Sequence, residues 1–307
     1  MTKLDRIKVA PGPNLSNLSP DYRYPVILVS LGRRRKEGTC TVNRSPQLAA
    51  KRIGQTLTAF RNGPKLLFDL VASKTPLAAN ELVFKTRDGV VITCPNVAGA
   101  RVPVYELFAE DAYRFDQLAG DLPADFQALD IGGQIGCFSV ALAKAFPQAR
   151  INTYEASPST AVYTRRNVNA NGLDDRVTVH NTAMSDHEGT LQFTDNGQGS
   201  GLNGLTAPER SQTIEVDCTT FAAAVKAAGG RIDLVKIDTE GAEYSIILPS
   251  DPADWATVKS VVIEYHPLPG HSWDELKDFF TRAGLEEVRH ERVDVGLGTV
   301  WLKRVAG

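Results

Sequence analysis

Ala128-Leu129-Asp130-Ile131-Gly132-Gly133-Gln134-Ile135-Gly136 decides the fold. A short apolar run ends on an acid and turns through glycines. It passes at once into Ile135, Phe138, Leu142 and Phe146, spaced as one face of a helix. Strand, tight turn and helix open a βαβ unit. The pattern repeats downstream. Ile151 to Glu155 reads as a strand, Ser157-Pro158 as the cap of a helix running to Asn171-Gly172, and Val177 to Asn181 as a strand. Phe221 to Ala228 reads as a helix, with strands at Asp233 to Asp238 and Val258 to Tyr265. Ser272-Trp273-Asp274-Glu275 has the capping-box spacing, with Trp273, Leu276, Phe280 and Ala283 on one face behind it, and Thr299 to Lys303 is a last strand. The expected fold is α/β, Rossmann-like, a mostly parallel sheet with helices on both faces.

Upstream the style differs. Residues 1–80 read as a basic N-terminal extension, 81–125 as a hairpin and helix leading into the core, and 126–307 as the α/β domain. Pro11, Pro13, Pro20 and Pro25 mark an irregular arm, and Tyr24 to Leu31 fits a strand. Ser45-Pro46 opens a helix carrying Ala49, Ile53, Leu57 and Phe60, which Gly63-Pro64 should stop. Leu82 to Cys94 reads as a hairpin turning at Asp88-Gly89, and Tyr105 to Leu118 as a helix. Gly197, Gly199, Gly201 and Gly204, among polar residues between Asp195 and Gln212, fit either a mobile lid or a plain surface insertion.

The 307 residues are 42% hydrophobic and 23% charged, with net charge −2, which excludes collagen-like, disordered and disulfide-framework classes. The net conceals an asymmetry: +10 over residues 1–65 and −12 over the rest. The densest basic patch is Arg33-Arg34-Arg35-Lys36. It reads as a solvated loop, or as a surface for a homodimer or an acidic protein partner. No nucleic-acid motif accompanies it, so nucleic acid is not expected. Runs such as Val26-Ile27-Leu28-Val29 fall far short of the roughly 20 apolar residues of a membrane span, and no membrane is expected. The N-terminus lacks the apolar stretch of a secretory signal. Cys40, Cys94, Cys137 and Cys218 form no CxxC pair, and a cytoplasmic setting without a zinc cluster is expected. No metal-ligand spacing stands out.

In such sheets ligands bind beyond the C-terminal ends of the strands. Asp130-x-Gly132-x-x-x-Gly136 stands at the first such end, with Gln134 where a dinucleotide fingerprint would carry glycine. Its glycines either admit a ligand to the backbone or only make the turn. Glu155 ends the next strand, where a carboxylate can hold a ribose diol or pair with a helix dipole. Asp238, Glu240 and Glu243 crowd the exit of a third, and Glu264 and His266 the exit of a fourth. A charge behind a buried aliphatic run needs a partner or a ligand.

Together these residues resemble class I S-adenosylmethionine-dependent methyltransferases of the FkbM type. Asp130-x-Gly132-x-x-x-Gly136 is similar to that family's glycine motif, and Thr153-Tyr154-Glu155-Ala156-Ser157-Pro158 to its acid-plus-proline motif. Asn167-Val168-Asn169 resembles its N-x-x-N region. Lys236-Ile237-Asp238-Thr239-Glu240-Gly241-Ala242-Glu243 resembles its K-x-D-x-E-G-x-E signature, and Glu264-Tyr265-His266 its E-x-H ending. The resemblance covers about residues 126–303, with a weaker echo over 81–118.

It implies S-adenosylmethionine as cofactor. Asp130, Gly132, Gly133, Gln134 and Gly136 would hold the methionine end, Glu155 the ribose hydroxyls, and Ala183-Met184 would lie along adenine; Ala156, Ser157 and Asp238 are further cofactor-binding candidates. It also implies methylation of a small-molecule hydroxyl or carboxyl, with Asp238, Glu264 and His266 as candidate bases. Natural-product tailoring follows by analogy. Two other readings remain: a cofactor-binding scaffold without methylation, and an enzyme using the same pocket for elimination or cyclisation.

Overall fold

The computed structural model of the chain describes residues 46–72, 75, 77–195, 197 and 212–305. The arm before residue 46, its basic patch and most of the 195–212 loop lie outside the described residues. Helix α1 (Pro46–Ala59) is followed at once by α2 (Gly63–Val71), β1 (Glu81–Lys85), β2 (Val91–Pro95), α3 (Ala98–Phe108) and α4 (Phe115–Ala119). Gly63-Pro64 therefore starts a helix rather than only ending one, since proline suits a first turn that has no N–H partner to lose. The expected apolar stripe of α1 is also displaced. Ile53 and Leu57 are exposed, while Thr56 and Phe60 are buried, and the Thr56 and Tyr105 hydroxyls meet at 2.7 Å. The helix expected over 105–118 is broken, because Asp111 and Arg114 adopt left-handed backbone (φ 47° and 51°). The hairpin forms as expected, but its connection runs over residues 86–90 rather than two residues.

Both outer edges of that hairpin are closed by asparagine amides. Asn62 donates to the Val83 carbonyl (2.7 Å) and accepts from the Lys85 N–H (3.1 Å). On the β2 side, Asn167 accepts from the Thr93 N–H (2.8 Å) and donates to its carbonyl (2.9 Å). Asn171, one helical turn on, does the same for Val91, at 3.0 and 2.7 Å. Free strand edges are open to foreign pairing; here side chains complete the ladder. Asn167 and Asn171, not Asn169, form the pair.

The sheet domain follows: β3 (Gln127–Ile131), α5 (Cys137–Ala145), β4 (Arg150–Tyr154), α6 (Pro158–Ala170), β5 (Val177–His180), β6 (Ala183–Met184), β7 (Gly189–Asp195), β8 (Gln212–Thr219), α7 (Phe221–Ala227), β9 (Leu234–Ile237), α8 (Glu243–Ile247), β10 (Ser260–Tyr265), α9 (Trp273–Arg282), β11 (Leu285–Asp294) and β12 (Leu297–Arg304). The seven-stranded sheet has the order β11-β12-β10-β9-β3-β4-β5. Its five strands from β10 to β5 are parallel, and β12 and β11 continue it antiparallel. Chain order reverses between β3 and β9, which makes that pair the switch point. Ile131 pairs with both Tyr154 and Ile237, and Ile237 with Ile263, so β3, β4 and β9 end level and β10 runs two residues further.

Burial on both faces explains why β9 is apolar except for Lys236. Leu234 packs into a core shared with Phe138, Leu142 and the hairpin, and Val235 into one shared with Trp255, Phe279 and Phe280. Alternation along the strand thus feeds one core on each face. The first core also takes in Phe60, Phe84 and Tyr105, whose rings meet edge to face at 5.0–5.8 Å. Helix α9 begins with the expected capping box of Ser272 and Glu275. Among the described residues, no helix is long and apolar enough to cross a membrane.

Replacing Asn167 with Ala strips partners from both Thr93 backbone groups and from the Ile135 carbonyl (2.8 Å). The expected loss is about 2–4 kcal/mol of stability, read from urea denaturation, with faster hydrogen exchange at the Thr93 amide.

Candidate active site

The turn after β3 is fixed from within. Gly132 has φ 79°, and a Cβ there would stand 1.8 Å from the Asp238 carbonyl oxygen. A Cβ on Gly133 would stand 2.1 Å from the Thr153 hydroxyl oxygen. The close approach these glycines permit is therefore by the chain itself, across the β3–β9 and β3–β4 boundaries. Tight chain packing is thus reason enough for both glycines, as in the turn-making alternative. Gln134 adopts left-handed backbone (φ 47°). Its Nε2 donates to the Gly99 carbonyl (3.4 Å), while its Oε1 is buried with no hydrogen-bond partner among the described residues. Gly136, φ 84°, caps α5 and packs against Thr164.

Asp130 is fully buried and does not line an open crevice. Its Oδ2 accepts from Ser139 (2.7 Å) and Thr153 (3.2 Å), and its Oδ1 lies 3.2 Å from Lys236 Nζ. Lys236 also donates to the Gly132 carbonyl (2.6 Å) and stands 4.0 Å from Asp238. Burial pulls the Lys236 ammonium down, but Asp130 and Asp238 outweigh it and hold the net value above the ordinary one. The lysine of the signature stretch is thus the counter-ion of the acid in the glycine turn, a link absent from the expected site.

Glu155, beyond the tip of β4, is a clasp. One carboxylate oxygen accepts from the Gln134 N–H (2.8 Å) and the other from the Ser157 N–H (2.8 Å). It joins the glycine turn to the start of α6. Burial pushes its carboxyl up to about 7, against the two N–H donors and Lys236, which lower it. Asn181 donates to the Glu155 and Ala156 carbonyls (2.9 and 3.1 Å). Ser157 caps α6 by accepting from the Thr160 N–H (3.2 Å). Ala183 and Met184 are buried in β6, which pairs with β8 rather than with the large sheet.

Asp238, Glu240, Glu243, Glu264 and His266 come together at the tips of β9 and β10. Glu243 is fully buried. Its Oε1 accepts from the Thr239 N–H (3.0 Å) and hydroxyl (2.9 Å) and the Gly241 N–H (3.2 Å), and takes His266 Nδ1 at 3.1 Å. Burial would raise its carboxyl, but His266 and these donors win and hold it below the usual range. The other ring nitrogen, Nε2, lies 3.5 Å from Glu240 Oε2 and 3.9 Å from Glu264 Oε1. Burial would lower His266, but Glu243 foremost, then Glu240 and Asp238, raises it well above the ordinary value. Glu264 is pushed up to about 8 by burial and then by Asp238. Glu240 is pushed up to about 7 by burial, against the opposing pull of His266.

The lead segment adds two groups that sequence reasoning missed. Glu106 of α3 is pushed up to about 7 by burial and then by Asp238. The buried Tyr113 phenol is raised by burial and then by Asp238 and Glu264. No sequence pattern marks either residue, because α3 and the turn after it reach the strand tips only through tertiary packing.

A profile of the Methyltransferase FkbM domain matches residues 130–286. The chain belongs to the FkbM methyltransferase family. Methyltransferase sdnD of Sordaria araneosa is 26% identical over 190 residues, 52% of this chain and 72% of that protein. Methyltransferase 1 of Beauveria bassiana is 23% identical over 180 residues, 52% of this chain and 70% of its own length. The AMB antimetabolite synthetase AmbE of Pseudomonas aeruginosa is 26% identical over 228 residues, 59% of this chain but 10% of that protein. Among solved structures, methyltransferase FkbM from Methylobacillus flagellatus covers 67% of this chain and 55% of its own, at 13% identity and TM-score 0.41.

For this FkbM methyltransferase, the matched region runs from the buried acid of the glycine turn to just inside β11. Of the candidate bases, Asp238, Glu264 and His266 share one cluster. Of the candidate cofactor residues, Gln134 and Ser157 are bound to Glu155 through their backbone, and Asp130 is committed to Lys236.

Replacing Lys236 with Met strands the Asp130 carboxylate and should cost about 3–5 kcal/mol. The double change with Asp130→Asn should recover part of that loss, measured by chemical denaturation.

The raised groups also fix a pH dependence. Glu106, Glu155 and Glu240 at about 7 and Glu264 at about 8 bind protons more tightly than their unfolded value of 4.5. Their stabilisation is complete below about pH 4.5 and is lost as pH rises through the folded values. His266 acts in the same sense above its ordinary 6.5; Glu243, being lowered, loses its contribution only on acidification below 4.5. The melting temperature of the ligand-free protein should therefore fall from about pH 6 to about pH 8.5. Glu264→Gln should flatten the upper part of that fall.

Proposed function

We propose that the protein transfers a methyl group from S-adenosylmethionine to an oxygen, a hydroxyl or carboxyl, of a small natural product or sugar. The observation that carries this reading is the cluster of Asp238, Glu240 and Glu264 with His266, beside the switch point of a sheet in a chain of this family. The cofactor supplies a methyl group on a sulfonium, so it brings positive charge and an already activated bond. The residues present suit it. Each oxygen of Glu155 retains a lone pair beyond its backbone bond and can accept from a ribose hydroxyl. Gln134 Oε1, buried without a partner, is an acceptor for an ammonium. Asp238, Glu240 and Glu264 favour a cation beside them. Ala156, Ser157, Ala183 and Met184 would lie along the cofactor beyond Glu155. A relative named as an antimetabolite synthetase supports a natural-product acceptor.

Glu264 is the base in this reading. At about 8 it is a far stronger base than an ordinary carboxylate, and a value near working pH suits proton transfer. His266, raised by Glu243, holds its proton too firmly for that role and instead keeps the carboxylates positioned. When bound, S-adenosylmethionine would supply the methyl group and keep the carbon–sulfur electron pair on sulfur, while Glu264 would take the proton of the acceptor oxygen. Positioning of the two reactants supplies much of the acceleration.

Calorimetry should show binding of S-adenosylmethionine and of its demethylated product, weakened about 10–100-fold in Glu155→Ala. No heat with either compound, from protein that melts cooperatively, would refute the reading. Binding without label transfer to any hydroxyl or carboxyl acceptor would point instead to a scaffold.

A further inference from the structure

Asp238, Glu240 and His266 each turn one donor atom into a common space, all within 4.8 Å of one another. We propose that this trio is a divalent-cation site of the borderline class, suited to manganese(II) or zinc(II), with one imidazole nitrogen and two carboxylate oxygens as ligands. An imidazole among carboxylates favours such ions over magnesium and calcium, which prefer oxygen throughout.

Three observations carry it beyond a gathering of acids. The first is the orientation of the ring. Glu243 holds His266 by Nδ1 at 3.1 Å, which leaves Nε2 turned toward Glu240 Oε2 at 3.5 Å and Glu264 Oε1 at 3.9 Å; a metal ion there replaces the Nε2 proton, which is released to solvent. A carboxylate behind one ring nitrogen, with the other aimed at the site, is the usual support of a metal-ligating histidine. The second is the support behind the ring. Glu243 is fully buried and lies on the Nδ1 side of His266, outside the trio, so its negative charge backs the ring without competing for the ion.

The third is the imbalance of charge. Glu106 lies near Asp238, and Asp238, Glu240, Glu243 and Glu264 surround His266, so these acids outnumber the one charge that His266 carries, while Lys236 is bound to Asp130 and the Gly132 carbonyl. Metal bonds of about 2.0–2.2 Å place donor atoms at most about 4.4 Å apart. The side chains of Asp238 and Glu240 are 29% and 46% exposed, free to rotate over the remaining distance. The role of the ion rests on the methyl-transfer reading, since at this place it would hold an acceptor oxygen beside Glu264. Its binding does not.

The test uses the full chain, stripped with chelator and titrated with manganese(II) chloride, with no S-adenosylmethionine or acceptor present. Loss of the free-ion electron paramagnetic resonance signal counts the bound metal. One ion per chain is expected, displaced by zinc(II). Binding should weaken at least about tenfold in Glu240→Gln and in Asp238→Asn, each checked for folding by circular dichroism. Absence of saturable binding, or binding that both substitutions leave unchanged, overturns the site. A chain that binds manganese yet fails to bind S-adenosylmethionine sinks only the methyl-transfer reading. One that binds S-adenosylmethionine and no manganese sinks only the metal site.

Discussion

The ion pair between Asp130 and Lys236 is the interaction on which the rest depends. It bridges neighbouring parallel strands at the switch point, with both side chains almost wholly buried. Two charges so placed are tolerable only when each is paired and hydrogen-bonded. Ser139 and Thr153 complete the carboxylate, and the Gly132 carbonyl takes the ammonium. The lysine therefore holds the glycine turn, and the turn meets the Asp238 carbonyl so closely that only glycine fits at position 132.

Outward from this pair the site becomes steadily more acidic and less compensated. Glu155 uses both carboxylate oxygens to tie the glycine turn to the next helix. Glu243 gathers the loop after β9 and fixes His266. Among the described residues Glu240, Glu264 and Glu106 have no such set of donors, and burial and mutual repulsion raise them to about 7 or 8. A crevice built in this way is disposed toward positive charge, whether a sulfonium or a metal ion.

The segment before the sheet is part of the same structure. Its hairpin is stitched to α6 by Asn167 and Asn171, and its aromatic residues enter the core beneath α5. Through it, α3 presents Glu106 to the strand tips, so the extension both covers one face of the sheet and adds to the chemistry of the crevice.

Local pattern in the sequence determined the βαβ alternation, the helix caps at Ser157 and Ser272, the glycine turn and the acids at the strand tips. These depend on spacing and turn chemistry within a few residues. Tertiary structure alone decided what those groups do. It paired Lys236 with Asp130, turned the glycine gaps inward to Asp238 and Thr153, and left Ile53 and Leu57 exposed beside a buried Thr56. It also brought Glu106 from a separate helix to Asp238. Ion pairs, close backbone approaches and shared burial arise between residues remote along the chain, and no local period encodes which of them will meet.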